Sequence, residues 1–172
     1  MCMRVSRLLY VYDNFARRQM RRYQKLMSDT LPPDFDPKRL IKMMSRNGHN
    51  GFLGVEYHAH GDDWCELALP YNAALASDAA SGIMASGPII TLMDMVTSMS
   101  IWFKAGKFQP QATLDLRVDY LRPAKPGETI IGHGECYGIT RSIGFVRGYA
   151  HDGDPDRPLA HVAGTFMFTA VG

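Results

Sequence analysis

Polar and apolar side chains alternate at every position from Thr113 to Tyr120. Successive side chains of a β-strand point to opposite faces, so this alternation predicts a strand whose two faces meet different environments, as in antiparallel sheets. The pattern predicts that Thr113 and Asp115 share the polar face, whereas Leu114 and Leu116 share the apolar one. Further short runs of β-forming residues between turn residues predict strands over residues 52–60, 63–69, 129–139, 143–151 and 159–170.

The longest apolar segment of the chain runs from Pro88 to Lys104 and predicts a helix. Proline at the first helical position and Gly106 just past the end are usual at helix ends, and the length corresponds to about five turns. Because apolar residues occur all round this segment, we expect it to be buried on most sides. A loop rich in glycine, alanine and serine, Ala73–Gly87, precedes it. One buried helix with a run of antiparallel strands predicts an α+β fold in which a sheet wraps around the helix.

Residues 1–46 differ from the rest of the chain in both pattern and charge. Apolar positions at three- and four-residue spacing over residues 4–28, with Arg and Lys between them, predict an amphipathic helix. A second, short helix follows with Asp36 as its N-cap, and two Asn-Gly pairs then predict a loop over residues 47–51. Residues 1–46 hold 11 Lys and Arg against 4 Asp and Glu, a balance of +7, whereas residues 47–172 hold 8 against 13, a balance of −5. We therefore divide the chain into a basic helical extension, 1–46, and a domain, 47–172.

The composition argues for a globular protein of a reducing compartment. The three cysteines are far apart, without a CxxC pair, which argues against both a disulfide framework and a zinc cluster. No stretch approaches the roughly 20 apolar residues of a membrane span, and the apolar run near the start is too short for a signal peptide. Aromatic residues between the arginines of the extension would suit nucleic acid, but a solvated helix face that packs on the acidic domain is the favoured interpretation. We therefore expect a cytoplasmic protein with neither a nucleic-acid partner nor membrane insertion.

Asp94 is the most informative polar residue, because it lies inside the apolar helix. An ionised carboxylate is rarely buried without partners, since its desolvation is costly. Two interpretations stay open: Asp94 is a general base or nucleophile that faces a cleft, or it is a buried hydrogen-bonding group at a contact. Just upstream, the amides of Ser86 and Gly87 lie where the helix begins and could stabilise a developing oxyanion, although an ordinary tight loop would have the same sequence.

Other catalytic and metal-binding patterns are absent from the sequence or weak. No serine lies in a GxSxG elbow, and there is neither a P-loop nor a GxGxxG motif. His58 and His60 would share one face of a strand, but no third ligand stands at matching spacing, so we expect no metal.

Several short motifs occur in the order found in the hotdog-fold thioesterases. Members of that family have a Gly-x-x-His-Gly-Gly loop, a helix with Thr-Leu-x-Asp, and a strand that ends in Tyr-Leu-Arg-Pro. Here Gly82–Gly87 stands at the loop, Thr91–Asp94 follows at the expected distance, and Asp115–Pro123 matches the strand. Thr165-Phe166 fits the Gly-Thr-Phe near the end. Over residues of about 50–170 the chain therefore resembles these thioesterases, particularly their phenylacetyl-CoA (PaaI-type) branch.

The resemblance implies a hotdog fold, a long central helix wrapped by a curved antiparallel sheet, here with an extra N-terminal helical segment. It also implies catalytic roles. Asp94 would activate water or attack the thioester carbonyl, and Ser86 or Gly87 would supply the oxyanion amide. Thr113 matches a position that helps to orient the attacking water across a dimer interface. The histidine of the family loop is absent here, since Ala85-Ser86-Gly87 replaces His-Gly-Gly.

The resemblance further implies how substrate and subunits are held. Hotdog chains pair into dimers, often dimers of dimers, and pairing would also cover the open edges of a sheet. The substrate would be an acyl-CoA, with coenzyme A as part of the substrate and no separate cofactor. Asn72 or Asp78 would replace the upstream polar residue of the family loop. Cations for the CoA phosphates would be Arg122, Lys125 and Arg141.

Three functions are compatible with this resemblance, and they differ in what they require of the residues. The preferred hypothesis is an acyl-CoA thioesterase with Asp94 as base or nucleophile. The alternative is a non-catalytic acyl-CoA or fatty-acyl binding protein, because loss of the loop histidine could weaken catalysis. A hotdog dehydratase would need a His-Asp pair near the helix start, and the absence of histidine from Gly61 to Gly132 argues against it.

Overall fold

The structure is a computed structural model that describes residues 36, 39, 41, 42 and 48–169. All of these residues belong to one compact unit. The helix predicted over residues 4–28 lies outside the described residues. The carboxylate of Asp36 accepts a hydrogen bond from the backbone amide of Arg39 at 3.3 Å, which confirms Asp36 as an N-cap.

Six antiparallel strands of the described region form one sheet in the order β1-β2-β4-β5-β6-β3. They are β1 Glu56–His60, β2 Trp64–Leu69, β3 Gln111–Tyr120, β4 Ile130–Ile139, β5 Ile143–His151 and β6 Ala160–Phe168. Every strand predicted from the sequence is present, although the ends differ by a few residues. Within the described residues, β1 and β3 are the two edges of the sheet, so their outer backbone groups have no neighbouring strand.

The long helix, α2 Ser86–Ala105, packs against the inner face of the sheet with most of its side chains buried. Gly134 of β4 allows close approach, since a Cβ there would lie 2.7 Å from the carbonyl oxygen of Val96. The Cys65 thiol of β2 donates to the same carbonyl at 3.3 Å. Gly106 ends the helix with a φ of 62° and donates back into its last turn, as predicted. No helix among the described residues is long and apolar enough to cross a membrane.

The start of α2 differs from the prediction, because the helix begins at Ser86, two residues before Pro88. A proline at the third helical position is tolerated, since the amides of the first turn have no acceptor inside the helix. The loop before α2 also has structure of its own. Ala73–Leu75 form a 3-10 turn, and Ala76 pairs with Met84 in an isolated β-bridge.

The prediction of a loop over residues 47–51 is wrong, because Gly48–Leu53 form a short helix, which we label α1. Gly48 and Gly54 have positive φ angles of 66° and 71°, a conformation that favours glycine. These glycines therefore stand at the two ends of the helix rather than inside a loop. Leu53 is buried and anchors the helix on the domain. As a consequence, the first strand begins later than predicted.

The alternation of β3 is interrupted by a bulge at Leu114. The register with β6 skips this residue, and its side chain is 52% exposed. Thr113, before the bulge, and Tyr120, after it, both hydrogen-bond to α2. In an uninterrupted strand these two positions, an odd number of residues apart, would point to opposite faces. The prediction that Thr113 shares a face with Asp115 is therefore wrong, because the extra residue reverses the alternation.

Candidate active site

One face of α2 is left open by the sheet, and Asp94 lies in the middle of that face. Residues three, four and seven positions apart on a helix share a face, which places Asp94 in line with Thr91 and Gly87. Gly87 and Ile90 are exposed, and Thr91, Asp94 and Ser98 are half-buried, whereas most other side chains of α2 are buried. In this chain, the Asp94 carboxylate thus borders an open surface instead of being enclosed in the core.

Thr113 holds the Asp94 carboxylate in place. Its hydroxyl donates a hydrogen bond to Oδ1 of Asp94 at 2.8 Å, from β3 to α2. The bulge at Leu114 is what turns Thr113 toward the helix. Among the described residues, no hydrogen bond engages Oδ2 of Asp94, so this oxygen is left for water or a ligand. A carboxylate that is fixed through one oxygen and accepts a proton through the other is suited to act as a general base.

The start of α2 offers backbone amides on the same open face. Ala85 is the N-cap residue and supplies no side-chain oxygen to the first-turn amides, which have no acceptor inside the helix. The Tyr120 hydroxyl donates to the carbonyl of Ser86 at 3.0 Å and fixes the first turn on β3. A Cβ at Gly87 would meet no atom within 4 Å, so the space in front of this residue is open. The arrangement is suited to hydrogen-bonding an anion or a polarised carbonyl oxygen.

Asp94 and Gly87 of one chain are too far apart to act on one carbonyl group. They are separated by seven helical positions, which corresponds to about 10 Å along the helix axis. A carbonyl carbon under attack lies only about 3 Å from both the nucleophile and the oxyanion donors. Each chain therefore carries one carboxylate and one set of amides that cannot meet at the same reacting centre. Thr113 also contacts Asp94 of its own chain, whereas the resemblance implied a role for Thr113 across a dimer interface.

Asn72 and Asp78 shape the loop before α2. The Asn72 side chain accepts a hydrogen bond from the amide of Ala74 at 2.9 Å and so caps the 3-10 turn. Asp78 accepts bonds from the amides of Ala80 and Ser81 and from the Ser81 hydroxyl. The hydrogen bonds from Ser81 lower the pKa of Asp78. Both side chains are exposed, and among the described residues their hydrogen bonds are made to residues between positions 74 and 81.

The three predicted cations lie in two different places. Arg122 and Lys125 follow β3, whose last residue, Tyr120, hydrogen-bonds to the start of α2, whereas Arg141 lies in the turn between β4 and β5. That turn is near the other end of α2, because a Cβ at Gly144 would contact Ile101. The structure therefore brings Arg122 and Lys125 into one region and leaves Arg141 in another.

The guanidinium of Arg122 is already bound within the domain. It donates to both carboxylate oxygens of Asp152, at 2.6 and 2.7 Å, and to the carbonyl of Arg157 at 2.6 Å. The backbone amide of Lys125 donates to the same carboxylate at 2.8 Å, while the Lys125 side chain is exposed. Arg122 thus holds the turn together, and Lys125 is the cation that extends into solvent near the start of α2.

His49 is a residue of this region that the sequence patterns missed. It lies on α1, and its Nε2 is 3.4 Å from the hydroxyl oxygen of Thr91 on α2. The Thr91 hydroxyl in turn donates to the carbonyl of Gly87 at 3.1 Å. No motif signals this contact, because His49 precedes the first strand by several residues and stands in a segment predicted to be a loop. Only the hydrogen-bond contact between α1 and α2 in the folded chain reveals it.

His58 and His60 do not share a face, contrary to the prediction. The register between β1 and β2 shifts around His58, so this strand is also irregular. His60 stacks on Phe103 of α2 with ring centroids 4.6 Å apart, whereas Nε2 of His58 is 3.9 Å from the carboxylate of Glu66. In the part of the chain that the structure describes, no group of three His, Cys, Asp or Glu side chains could hold a metal ion.

Comparisons with known proteins support the fold described above. A family model described as the thioesterase superfamily matches residues 81–159, which include α2 and β3 to β5. A protein from Pseudomonas aeruginosa with a crystal structure is 37% identical, over 76% of this chain and 97% of that one, with a TM-score of 0.69. The chain belongs to the thioesterase superfamily. No curated protein matches it significantly.

More distant relatives in the thioesterase superfamily support the fold. A thioesterase from Haemophilus influenzae is 16% identical over 80% of this chain and 93% of that one, with a TM-score of 0.70. Zebrafish thioesterase superfamily member 2 is 20% identical over 77% and 95% of the two chains, with a TM-score of 0.68. With the long helix and the six-stranded sheet, these matches establish the hotdog fold. The narrower resemblance to the PaaI-type branch stays a prediction.

Proposed function

We propose that this protein hydrolyses an acyl-CoA thioester to a free acid and coenzyme A, with Asp94 as the catalytic carboxylate. The observation that carries the proposal is the bond from Thr113 to Asp94 on the open face of α2, in a chain of the thioesterase superfamily. Oδ2 of Asp94 removes a proton from water, and the water oxygen forms a bond to the thioester carbon. The C–S bond then breaks, and the thiolate leaves and takes up a proton. In the nucleophilic variant, Oδ2 attacks the carbon and water hydrolyses the resulting anhydride.

The active site is assembled from two copies of the chain. Asp94 and the Gly87 amide of one chain are about 10 Å apart along α2, so the oxyanion amide opposite Asp94 comes from a second copy. The free edge of β3 and the exposed side chains beside it, Leu114, Tyr120 and Leu121, are suited to such a contact. The assembly is therefore a dimer or a dimer of dimers, with Ser86 or Gly87 of one copy acting on the substrate bound at Asp94 of the other.

The acyl-CoA phosphates are bound near the start of α2 by Lys125. Its side chain is exposed and lies in the turn after β3, whereas Arg122 is engaged by Asp152 and Arg141 lies near the other end of the helix. The side chains of Asn72 and Asp78 fix the conformation of the loop before α2 through hydrogen bonds to its backbone amides. No cofactor is needed, and a cytoplasmic location fits the free thiols of Cys65 and Cys136.

Release of free thiol from a panel of acyl-CoAs tests the proposed function. The panel contains short, long and aromatic acyl groups, including phenylacetyl-CoA, and the purified full chain is expected to hydrolyse at least one of them. Saturable binding of an acyl-CoA without thiol release would contradict the proposal and favour the non-catalytic alternative. A preference for phenylacetyl-CoA would place the chain in the PaaI-type branch.

Gly87→Ala is expected to lower kcat by about 100-fold, because a methyl group in front of the amide obstructs the approach of the carbonyl oxygen. Folding should not suffer, since a Cβ at this position meets no atom within 4 Å and alanine favours the helix by up to about 1 kcal/mol. Steady-state thiol release and the urea midpoint of unfolding measure the two effects. Gly138→Ala on β4, where a Cβ makes only ordinary contacts, is the matched control. Equal activity of the two variants would exclude the Gly87 amide as the oxyanion donor.

Thr113→Val is expected to lower kcat about 10- to 100-fold, because a hydrogen bond to a charged group contributes about 1.5–3 kcal/mol. Thr113→Ser keeps the hydroxyl and should restore at least half of the activity. Steady-state kinetics of both variants with the best acyl-CoA give the comparison. If the valine and serine variants are equally active, the bond from Thr113 to Asp94 has no part in catalysis.

A further inference from the structure

The open face of α2 carries a second titratable side chain besides Asp94, and it comes from outside the residues that the family model matches. His49 lies on α1, and its imidazole contacts Thr91, one helical turn from Asp94. The chain has six histidines. The other five lie on strands of the sheet. His49 is therefore the one imidazole that lies on α1 beside the first half of α2.

The contact between His49 and Thr91 suits an imidazole that carries a proton on Nε2. The Thr91 hydroxyl is placed to donate to the carbonyl of Gly87, which leaves its oxygen as the acceptor for an Nε2–H of His49. At 3.4 Å this contact is long, and the imidazole is exposed. A long contact at an exposed site lets the Nε2–H turn toward a bound ligand at little cost.

Through its contact with Thr91, His49 lies about one helical turn from Asp94 of its own chain. Thr91 and Asp94 are three positions apart, which is about 4.5 Å along the axis of α2, whereas Gly87 is about 10 Å from Asp94. A carbonyl carbon attacked by water from Asp94 lies close to that carboxylate, and the sulfur is directly bonded to this carbon. An imidazole over Thr91 can therefore approach the sulfur, although the amide of Gly87 in the same chain cannot.

We propose that His49 is a second catalytic residue, the general acid for the leaving thiolate. This inference rests on the proposed thioesterase function. As the C–S bond breaks, its electron pair goes to sulfur, and the imidazolium of His49 transfers its proton there to give the free thiol of coenzyme A. Asp94 holds the proton taken from water, and solvent returns that proton to His49 after the acid leaves. The net reaction remains water plus thioester giving acid plus thiol.

The leaving group decides how much His49 contributes. An alkyl thiolate such as that of coenzyme A is basic and gains from protonation, whereas an aryl thiolate with a low pKa departs without it. His49→Gln keeps a side chain that can donate a hydrogen bond but cannot transfer a proton. We expect this variant to lose kcat about 10- to 100-fold on an acyl-CoA and to lose less than threefold on the aryl thioester of the same acyl group.

The experiment compares wild type, His49→Gln and His161→Gln on both thioesters, with unfolding midpoints measured for each. His161 is an exposed histidine of β6 and serves as the matched control, which should keep full activity on both. An equal loss on both thioesters, or no loss on either, would overturn the role of His49.

The failure of this inference can be told apart from a failure of the proposed function. If Asp94→Asn is inactive while His49→Gln keeps the wild-type rate on both thioesters, the chain is a thioesterase and the assignment of His49 is wrong. If the wild-type chain releases thiol from neither the acyl-CoA nor the aryl thioester, both proposals are overturned together. A retained unfolding midpoint in His49→Gln shows that any loss of rate does not come from unfolding.

Discussion

Asp94→Asn is expected to reduce kcat for acyl-CoA hydrolysis by at least about 1,000-fold, within the range attributed to a positioned acid–base group. The amide is almost isosteric with the carboxylate, so the Thr113 hydroxyl can still donate to its oxygen and the side chain keeps its place on α2. It can neither accept a proton from water nor attack a carbonyl carbon. Thiol release at saturating substrate measures the loss, and circular dichroism with size-exclusion chromatography shows whether fold and assembly are retained.

The control for this variant is Asp62→Asn, which removes an exposed carboxylate in the turn between β1 and β2. Its kcat should stay within about twofold of wild type, since surface substitutions away from a site have small effects. An Asp94→Asn protein that turns over at the wild-type rate would remove Asp94 from the mechanism. In that case the carboxylate would have only the hydrogen-bonding role that its sequence position also allowed.

Asp152→Asn is expected to destabilise the domain by about 3–5 kcal/mol, because it leaves the guanidinium of Arg122 without its counter-ion. The Asp152 side chain is 0% exposed and that of Arg122 is 24% exposed, so water compensates little of the loss. The hydrogen bonds from Arg122 lower the pKa of Asp152 to about 2. Urea unfolding of wild type and variant at neutral pH measures the difference, with Asp156→Asn, an exposed aspartate in the same turn, as the control.

The same ion pair makes the free energy of unfolding of the domain decrease as the pH falls. The pKa of Asp152 in the folded domain, about 2, is below the value of about 3.9 for an unfolded chain, so the pair stabilises the fold whenever the carboxylate is ionised. This contribution is present in full above about pH 4 and is lost as the pH falls toward about 2. The Asp152→Asn variant should lack that part of the acid-induced loss. A variant as stable as wild type at pH 7 would show that the turn does not depend on this pair.

The predicted helix and strands depend on local signals and are therefore readable from the sequence. The apolar segment that begins at Pro88 is too long and too uniformly apolar to be anything but a buried helix, and Gly106 ends it as predicted. The strands follow from alternation and from the turn residues between them. The loop over residues 47–51 was predicted wrongly because glycine marks helix ends as well as loops, and only the burial of Leu53 distinguishes the two.

The pairings at the candidate site depend on which side of an element a residue faces. Thr113 meets Asp94 because one extra residue, Leu114, reverses the alternation of β3, and such a bulge has no signal in the alternating pattern. Arg122 was predicted to bind a phosphate. Its ion pair with Asp152 could not be predicted from the sequence, because the two residues are thirty positions apart. Both contacts are set by the register between strands, which is a property of the folded sheet.

The sequence by itself determined that this protein has one long buried helix among antiparallel strands, with a carboxylate inside the helix and a glycine at its start. It did so because periodicity, proline, glycine and apolar length act over a few neighbouring residues. The tertiary structure alone decided that Thr113 hydrogen-bonds to Asp94, that His49 contacts Thr91, and that Arg122 forms an ion pair with Asp152. These contacts join residues that are 19, 42 and 30 positions apart, and chain neighbours carry no information about them until the sheet has closed around the helix.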